Sequence, residues 1–228
     1  MAAKTQVLPG SWNVSDSRAL YQVRTALAFA VFAVFAFLTS GCSETHTAGF
    51  WFADDALTLP DAVAGPLGGP LTDRERASLQ QIARAEIDRA FAGLPLSITE
   101  GHDAFWRVAV LRSLPSRGNR ALPHAGESLA MGFMGGTGAV DFDFVAFTAL
   151  HFAHDQTARP AIVEAMGRGI GRVAVHEFMH QILGASIGHD DSDADSYEFG
   201  NPERRSQYYG ELHWTTALPL LRLKLGSR

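Results

Sequence analysis

Residues 173–200 read VAVHEFMHQILGASIGHDDSDADSYEFG, placing three of the chain's nine histidines within fourteen positions and four aspartates directly after them. His176 and His180 are four residues apart, so on a helix both imidazoles leave one face about one turn apart. That spacing lets two ring nitrogens reach a single tetrahedral ion at about 2.0–2.1 Å. Glu177 stands beside the first histidine. Its carboxylate can take a proton from a water activated by the ion, as that water attacks a carbonyl, without occupying a ligand position. With nine histidines in 228 residues, H-E-x-x-H arises by chance roughly 0.02 times.

A catalytic site needs a third protein ligand and an open position. His189 is the first candidate. The rivals are oxygens: Asp190, Asp193 or Asp195, and Glu198 eighteen residues past His180. The alternating Asp191, Asp193 and Asp195 lack the turn glycine and bidentate glutamate of a calcium loop, and read as solvated charges, one of them fixing His189 from behind.

The H-E-x-x-H helix resembles that of the zincin peptidases. HEFMHQILGASIGHD is similar to the metzincin pattern H-E-x-x-H-x-x-G-x-x-H, with a longer connection. Gly184 follows His180 by four residues where the pattern has three, and His189 by nine where it has six. Metzincins also carry a methionine turn beneath the metal, and no methionine follows Met179. The resemblance implies Zn2+ held by His176, His180 and His189, Glu177 as general base, and a peptide or protein substrate. Glu198 lies near the position of a thermolysin-like glutamate. Tyr197, Tyr208 and Tyr209 are downstream phenols able to donate to an oxyanion. Two other readings stand beside the peptidase: a non-catalytic metal-binding envelope lipoprotein, in which Glu177 would have no use, and a zinc amidase acting on cell-wall peptides.

The elements that must position these residues follow from pattern. Thr72 and Glu75 form a capping box for a helix running to Gly93, with Leu79, Ile82, Ala83, Ile87, Ala90 and Phe91 at helical spacing. Residues 104–113 read as a strand, and 114–136 as irregular. GGTG at 135–138 reads as a turn, because no Gly-Lys-Ser/Thr follows. AVDFDFVAF at 139–147 alternates as a strand with one wet face, where a zincin would keep an edge strand that pairs with substrate. Pro160 opens a helix that Gly167, Gly169 and Gly171 interrupt, and a second helix reaches Leu183 with Gly184 at its end. The class expected is α+β, a zincin-like domain over 72–228 with a small, mostly antiparallel or mixed sheet.

Composition sets the context. An apolar fraction of 46% is ordinary, and a net charge of −5 gives no reason to expect nucleic acid. Residues 25–38 are uncharged and follow Lys4, Arg18 and Arg24, the grammar of a signal peptide. LTSGC then places the single cysteine, Cys42, after small residues, which resembles a bacterial lipobox with Thr39 where leucine is usual. The resemblance implies a signal peptide over 1–41, lipidation at Cys42, and an exported protein held on the membrane of the cell envelope by a lipid anchor. Residues 42–71, rich in Gly and Pro toward their end, read as a tether, within which GFWFADDAL at 49–57 is aromatic enough to touch the domain or the lipid headgroups. Palmitate labelling of cells should mark the wild-type chain, and Cys42→Ser should lose the label. Labelling that persists in the variant rejects the lipobox.

Overall fold

The computed structural model describes residues 45–114, 124–130, 135–184 and 189–226, and the expectations for the signal segment 1–41 and for Cys42 lie outside them. Five strands form one mixed sheet: β1 (His46–Phe52), β2 (Leu96–Thr99), β3 (Trp106–Leu111), β4 (Gly126–Ala130) and β5 (Gly136–Asp141), in the order β2-β1-β3-β5-β4. All neighbours are parallel except β4, which runs antiparallel to β5 at one edge. The helices described are α1 (Asp61–Leu67), α2 (Asp73–Ala90), α3 (Phe142–His151), α4 (Arg159–Leu183), α5 (Ser206–Tyr209) and α6 (Ala217–Leu225). The fold is α+β, as expected. None of these helices is long and apolar enough to cross a membrane.

Four expectations are corrected. The stretch read as tether is built into the fold from Thr45 onward. Phe50 and Ala48 of β1 are fully buried in the middle of the sheet, and Val63 and Leu67 of α1 join the same core. The boundary expected at Thr72 therefore falls inside the compact unit Thr45–Arg228. The alternation at 139–147 is cut at Asp141, whose carboxylate accepts from Phe144 N at 2.9 Å and caps α3. Its period-two pattern thus spans the end of β5 and the first turns of a helix. One edge strand of the sheet, β4, lies inside the segment read as irregular, and Gly136–Gly138, read as a turn, belong to β5.

The fourth correction concerns α4, one continuous helix of 25 residues. Three glycines in its middle should each cost about 1 kcal/mol relative to alanine. They are there because other chains pass where their side chains would be. A Cβ on Gly167 would lie 2.9 Å from Ile82, one on Gly171 2.5 Å from the Ala83 carbonyl, and one on Gly169 2.5 Å from the Tyr208 ring. The glycines therefore let α2 and α5 approach the α4 backbone, and apolar burial offsets their propensity.

Across the same contact lies a buried ion pair that the sequence did not announce. Arg172 Nε donates to Glu86 Oε2 at 3.1 Å, with the two side chains 1% and 3% exposed. The remaining guanidinium nitrogens donate to the carbonyls of Ser206, Gln207 and Gly210, so α2, α4 and α5 are pinned together through one fully engaged group.

At the start of α4, Arg159 clamps Glu75 with bonds of 2.6 and 2.9 Å and also donates to the carbonyls of Leu67 and Pro70. The Arg159 guanidinium, with the capping hydrogen bond from Thr72, holds the Glu75 carboxyl down to about 2 from an ordinary 4.5. A carboxyl with a depressed folded-state pKa adds stability above its unfolded value and loses it as pH falls through the folded one. Glu75→Gln keeps a capping-box acceptor and removes the charge. Thermal melts should place it about 2–4 °C below wild type at pH 7, the shift expected of ~1 kcal/mol in a partly exposed pair. That gap should close between pH 4.5 and 2. A gap constant across that range rejects the charge contribution.

Candidate metal centre

Helix α4 divides its last turns between two faces. Glu177 and Gln181, four residues apart, face the sheet, while His176 and His180 leave the neighbouring face. The sheet is stripped of side chains to receive the first pair. A Cβ on Gly126 would lie 2.5 Å from Glu177 Oε1, and one on Gly138 2.8 Å from Gln181 Nε2. The Gln181 amide then clasps the main chain of β3, accepting from Arg107 N and donating to Arg107 O, both at 3.0 Å. Ser128 of β4 adds a bond of 3.3 Å to the Glu177 carbonyl. These contacts fix both the height and the rotation of the histidine-bearing turn against the edge of the sheet.

The helix ends at Gly184 (φ +90°), in the left-handed half of backbone space that glycine tolerates best. After the connection 185–188, outside the described residues, the chain returns with His189. The Nε2 atoms of His176, His180 and His189 lie 3.0, 3.1 and 3.3 Å from one another. Ligands at 2.0–2.1 Å on a tetrahedral ion are separated by about 3.3 Å, so the triangle has the size of a zinc-type face. His176 Nδ1 lies 2.8 Å from the Tyr197 carbonyl, which can only accept. The proton therefore sits on Nδ1, and Nε2 points a bare lone pair at the other two rings. Burial and the neighbouring His180 push the His176 pKa down to about 3, and burial and His189 push His180 down to about 4. Both imidazoles are thus neutral at pH 7, the form that ligates. Three converging nitrogens could hold a metal ion, and they are the only such group of His, Cys, Asp or Glu among the described residues.

The rival ligands are used elsewhere. Asp190 accepts from Ser192 N and from Thr215 Oγ1. Asp193 Oδ2 pairs with His213 at 3.0 Å, and its other oxygen accepts from Asp195 N. Glu198 is completely buried, with its carboxylate on Thr215 N and Ala217 N. Asp191 holds Gly200 N. Asp190, Asp191 and Asp193 are therefore loop braces, and no aspartate, Asp195 included, joins the histidine triangle. His189 is the exposed ligand candidate, and the triangle opens on a cleft of about 920 Å³ that Glu177, Glu127, Ser128, Leu129 and Tyr197 also line.

Glu177 is 6% exposed. Burial, then the nearby Glu127 carboxylate, pushes its pKa up to about 8. Of the downstream phenols, Tyr209 donates its hydroxyl to the Ala149 carbonyl, and Tyr208 is fully buried against Gly169 and Phe152. Neither serves the cleft. Tyr197 serves it through its carbonyl oxygen, while its ring packs on Trp214. A main-chain ligand orienter has no side-chain signature, so the sequence could not have shown it. Gln181 was legible in principle, as the residue one turn beyond Glu177 on the same face.

The chain matches no protein-family model and no curated sequence, so the case for a metal rests on this geometry. The purified chain should carry about one zinc per molecule by elemental analysis, as three histidine ligands and an open position imply. Replacing His176 and His180 together by Ala should remove it. Full occupancy in that double variant places any metal elsewhere.

Proposed function

We propose that this chain is a zinc-dependent peptidase of zincin type, with His176, His180 and His189 as ligands and Glu177 as general base. The observation that carries the reading is the convergence of three ring nitrogens, 3.0–3.3 Å apart, in a cleft that an otherwise sheet-facing glutamate of the same helix turn also lines. A structural zinc site is closed by a fourth protein ligand, whereas this group of described residues ends at three and faces the cleft. That supports catalysis over a purely structural or sensing role.

The chemistry zinc supplies when bound is acidification of a water and polarisation of the scissile carbonyl. The residues of this chain do the rest. The Tyr197 carbonyl fixes the tautomer and rotation of His176, so that its lone pair is already aimed before an ion arrives. The charge of a bound ion would favour the ionised form of the Glu177 carboxyl against the upward push of burial, and Glu177, held against Gly126 and sheltered from bulk water, would then accept the proton released by the attacking water and pass it to the leaving amine.

Strand β4 supports a peptide as the substrate. It bonds to β5 on one side, and Glu127, Ser128 and Leu129 border the cleft. An extended peptide laid along it would gain main-chain hydrogen bonds with little sequence preference, and Leu129, 62% exposed, offers an apolar contact. The anchored, exported location implied by the segment before Cys42 belongs to the same proposal, with proteins or peptides outside the cytoplasm as substrates.

Glu177→Gln removes the base and keeps every ligand. Elemental analysis should find its zinc retained, while cleavage of a mixed-peptide library falls by about 10²–10⁴. Hydrolysis at the wild-type rate by Glu177→Gln rejects the mechanism. Zinc retained by a wild-type chain that cleaves no peptide favours the non-catalytic reading, or an amidase whose substrate is a cell-wall peptide.

A further inference from the structure

The stretch from His189 to Arg205 holds no helix or strand, and yet it sets two of the three ligands. Its inner segment, 197–200, touches both. The Tyr197 carbonyl accepts from His176 Nδ1 at 2.8 Å, and the Glu198 carbonyl accepts from Asp190 N, next to His189, at 3.2 Å. Gly200 lies flat against the His189 ring, where a Cβ would be 2.4 Å from Nδ1. Whatever holds 197–200 in place therefore holds the histidine triangle.

Tyr197 N donates to the His213 carbonyl and Gly200 N to Asp191, and the most deeply buried anchor is one carboxylate. Glu198 is 0% exposed, and no cation pairs with it among the described residues. Its oxygens accept from Thr215 N at 3.0 and 3.2 Å and from Ala217 N at 2.7 Å, the main-chain donors at the start of α6. A second strut runs parallel to it, from Thr215 Oγ1 to Asp190 at 2.8 Å. A carboxylate can be buried without a counter-ion where several N–H groups and a helix N-terminus receive it. Buried charge costs several kcal/mol if its partners are lost, so the contact is made in one geometry or not at all.

We propose that Glu198 is a positioning residue for the metal centre. By locking segment 197–200 onto residues 215–217, it orients His176 through the Tyr197 carbonyl and His189 through Asp190 and Gly200, without itself touching the ion. This rests on the histidine triangle binding a metal, and on nothing about the reaction. The group that resembles a thermolysin-like third ligand in the sequence thus acts one step removed from the metal.

The test uses the full chain in detergent, with zinc affinity read by competition against a chromophoric chelator and folding read by circular dichroism and thermal melting. Glu198→Gln places an amide where two main-chain N–H groups need an anion, and should weaken zinc binding by about 10–100-fold in protein that is still folded at the assay temperature. The absorption bands of the Co2+-loaded chain should shift in the same variant, because ligand angles change. Adding Glu198→Gln to His189→Ala should cost less than the sum of the two separate losses, since Glu198 acts in part through His189. Glu75→Gln, in the first turn of α2 beside the start of α4, is the control that lowers stability and leaves zinc affinity unchanged.

Wild-type affinity and unshifted Co2+ bands in a folded Glu198→Gln overturn the proposal and leave the metal site standing. Zinc retained by His189→Ala and lost by Glu198→Gln overturns it in favour of direct ligation. A wild-type chain that binds no zinc overturns the metal site itself. If Glu198→Gln does not fold, Thr215→Val removes the parallel strut at constant shape. It should weaken zinc binding several-fold, and unchanged affinity there overturns the proposal.

Discussion

Everything at this site depends on how closely the α4 backbone can approach its neighbours. On one side Gly167 and Gly171 let α2 lie against it, and on the other Gly126 and Gly138 let Glu177 and Gln181 lie across strands β4 and β5. A methyl group at any of these positions would meet another atom at 2.9 Å or less, and packed interiors do not yield by that much without shifting an element. The helix is therefore gripped from both sides. Its histidine-bearing face inherits a fixed position that no ligand has to create.

Rigidity of this kind has a physical use at a metal site. Ligand nitrogens scattered by free side-chain rotation would each lose entropy on binding, whereas rings locked by hydrogen bonds have already lost it. His176 is locked by the Tyr197 carbonyl, and His189 is backed by Gly200. The polar contacts of the aspartate-rich loop serve the same end. Asp190, Asp191 and Asp193 each accept from a named donor within the loop or from residues 213–215, so the run of charge that follows His189 is internal bracing as well as solvated surface.

The buried polar groups divide by task. Arg172 and Glu86 join three helices and have every charge compensated by a partner in another element. Glu198 does for the irregular half of the site what that pair does for the helical half. Both are costly to bury singly and specific once satisfied, which is the circumstance in which a polar group fixes one arrangement among several apolar packings of similar energy.

The sequence by itself determined the local chemistry: the i,i+4 histidines with Glu177 between them, the capping box at Thr72 and Glu75, and the glycine that ends α4. Each depends on contacts within one turn of chain, so pattern suffices. The α+β class was also legible. Tertiary structure decided what lies far apart in sequence. It joined α4 across its glycines, because apolar burial against α2 and α5 outweighs a propensity cost of about 1 kcal/mol per glycine. It turned the alternating stretch after Asp141 into a helix, because the Asp141 cap and packing against the core override a period-two pattern only a few residues long. It placed β1 inside the sheet, between β2 and β3, although its residues, set beside a Gly- and Pro-rich stretch, read as tether. And it chose among the ligand candidates. His189 meets the helix, while Asp190 and Glu198 are bonded to Thr215 and Ala217, residues that no spacing rule connects to the motif.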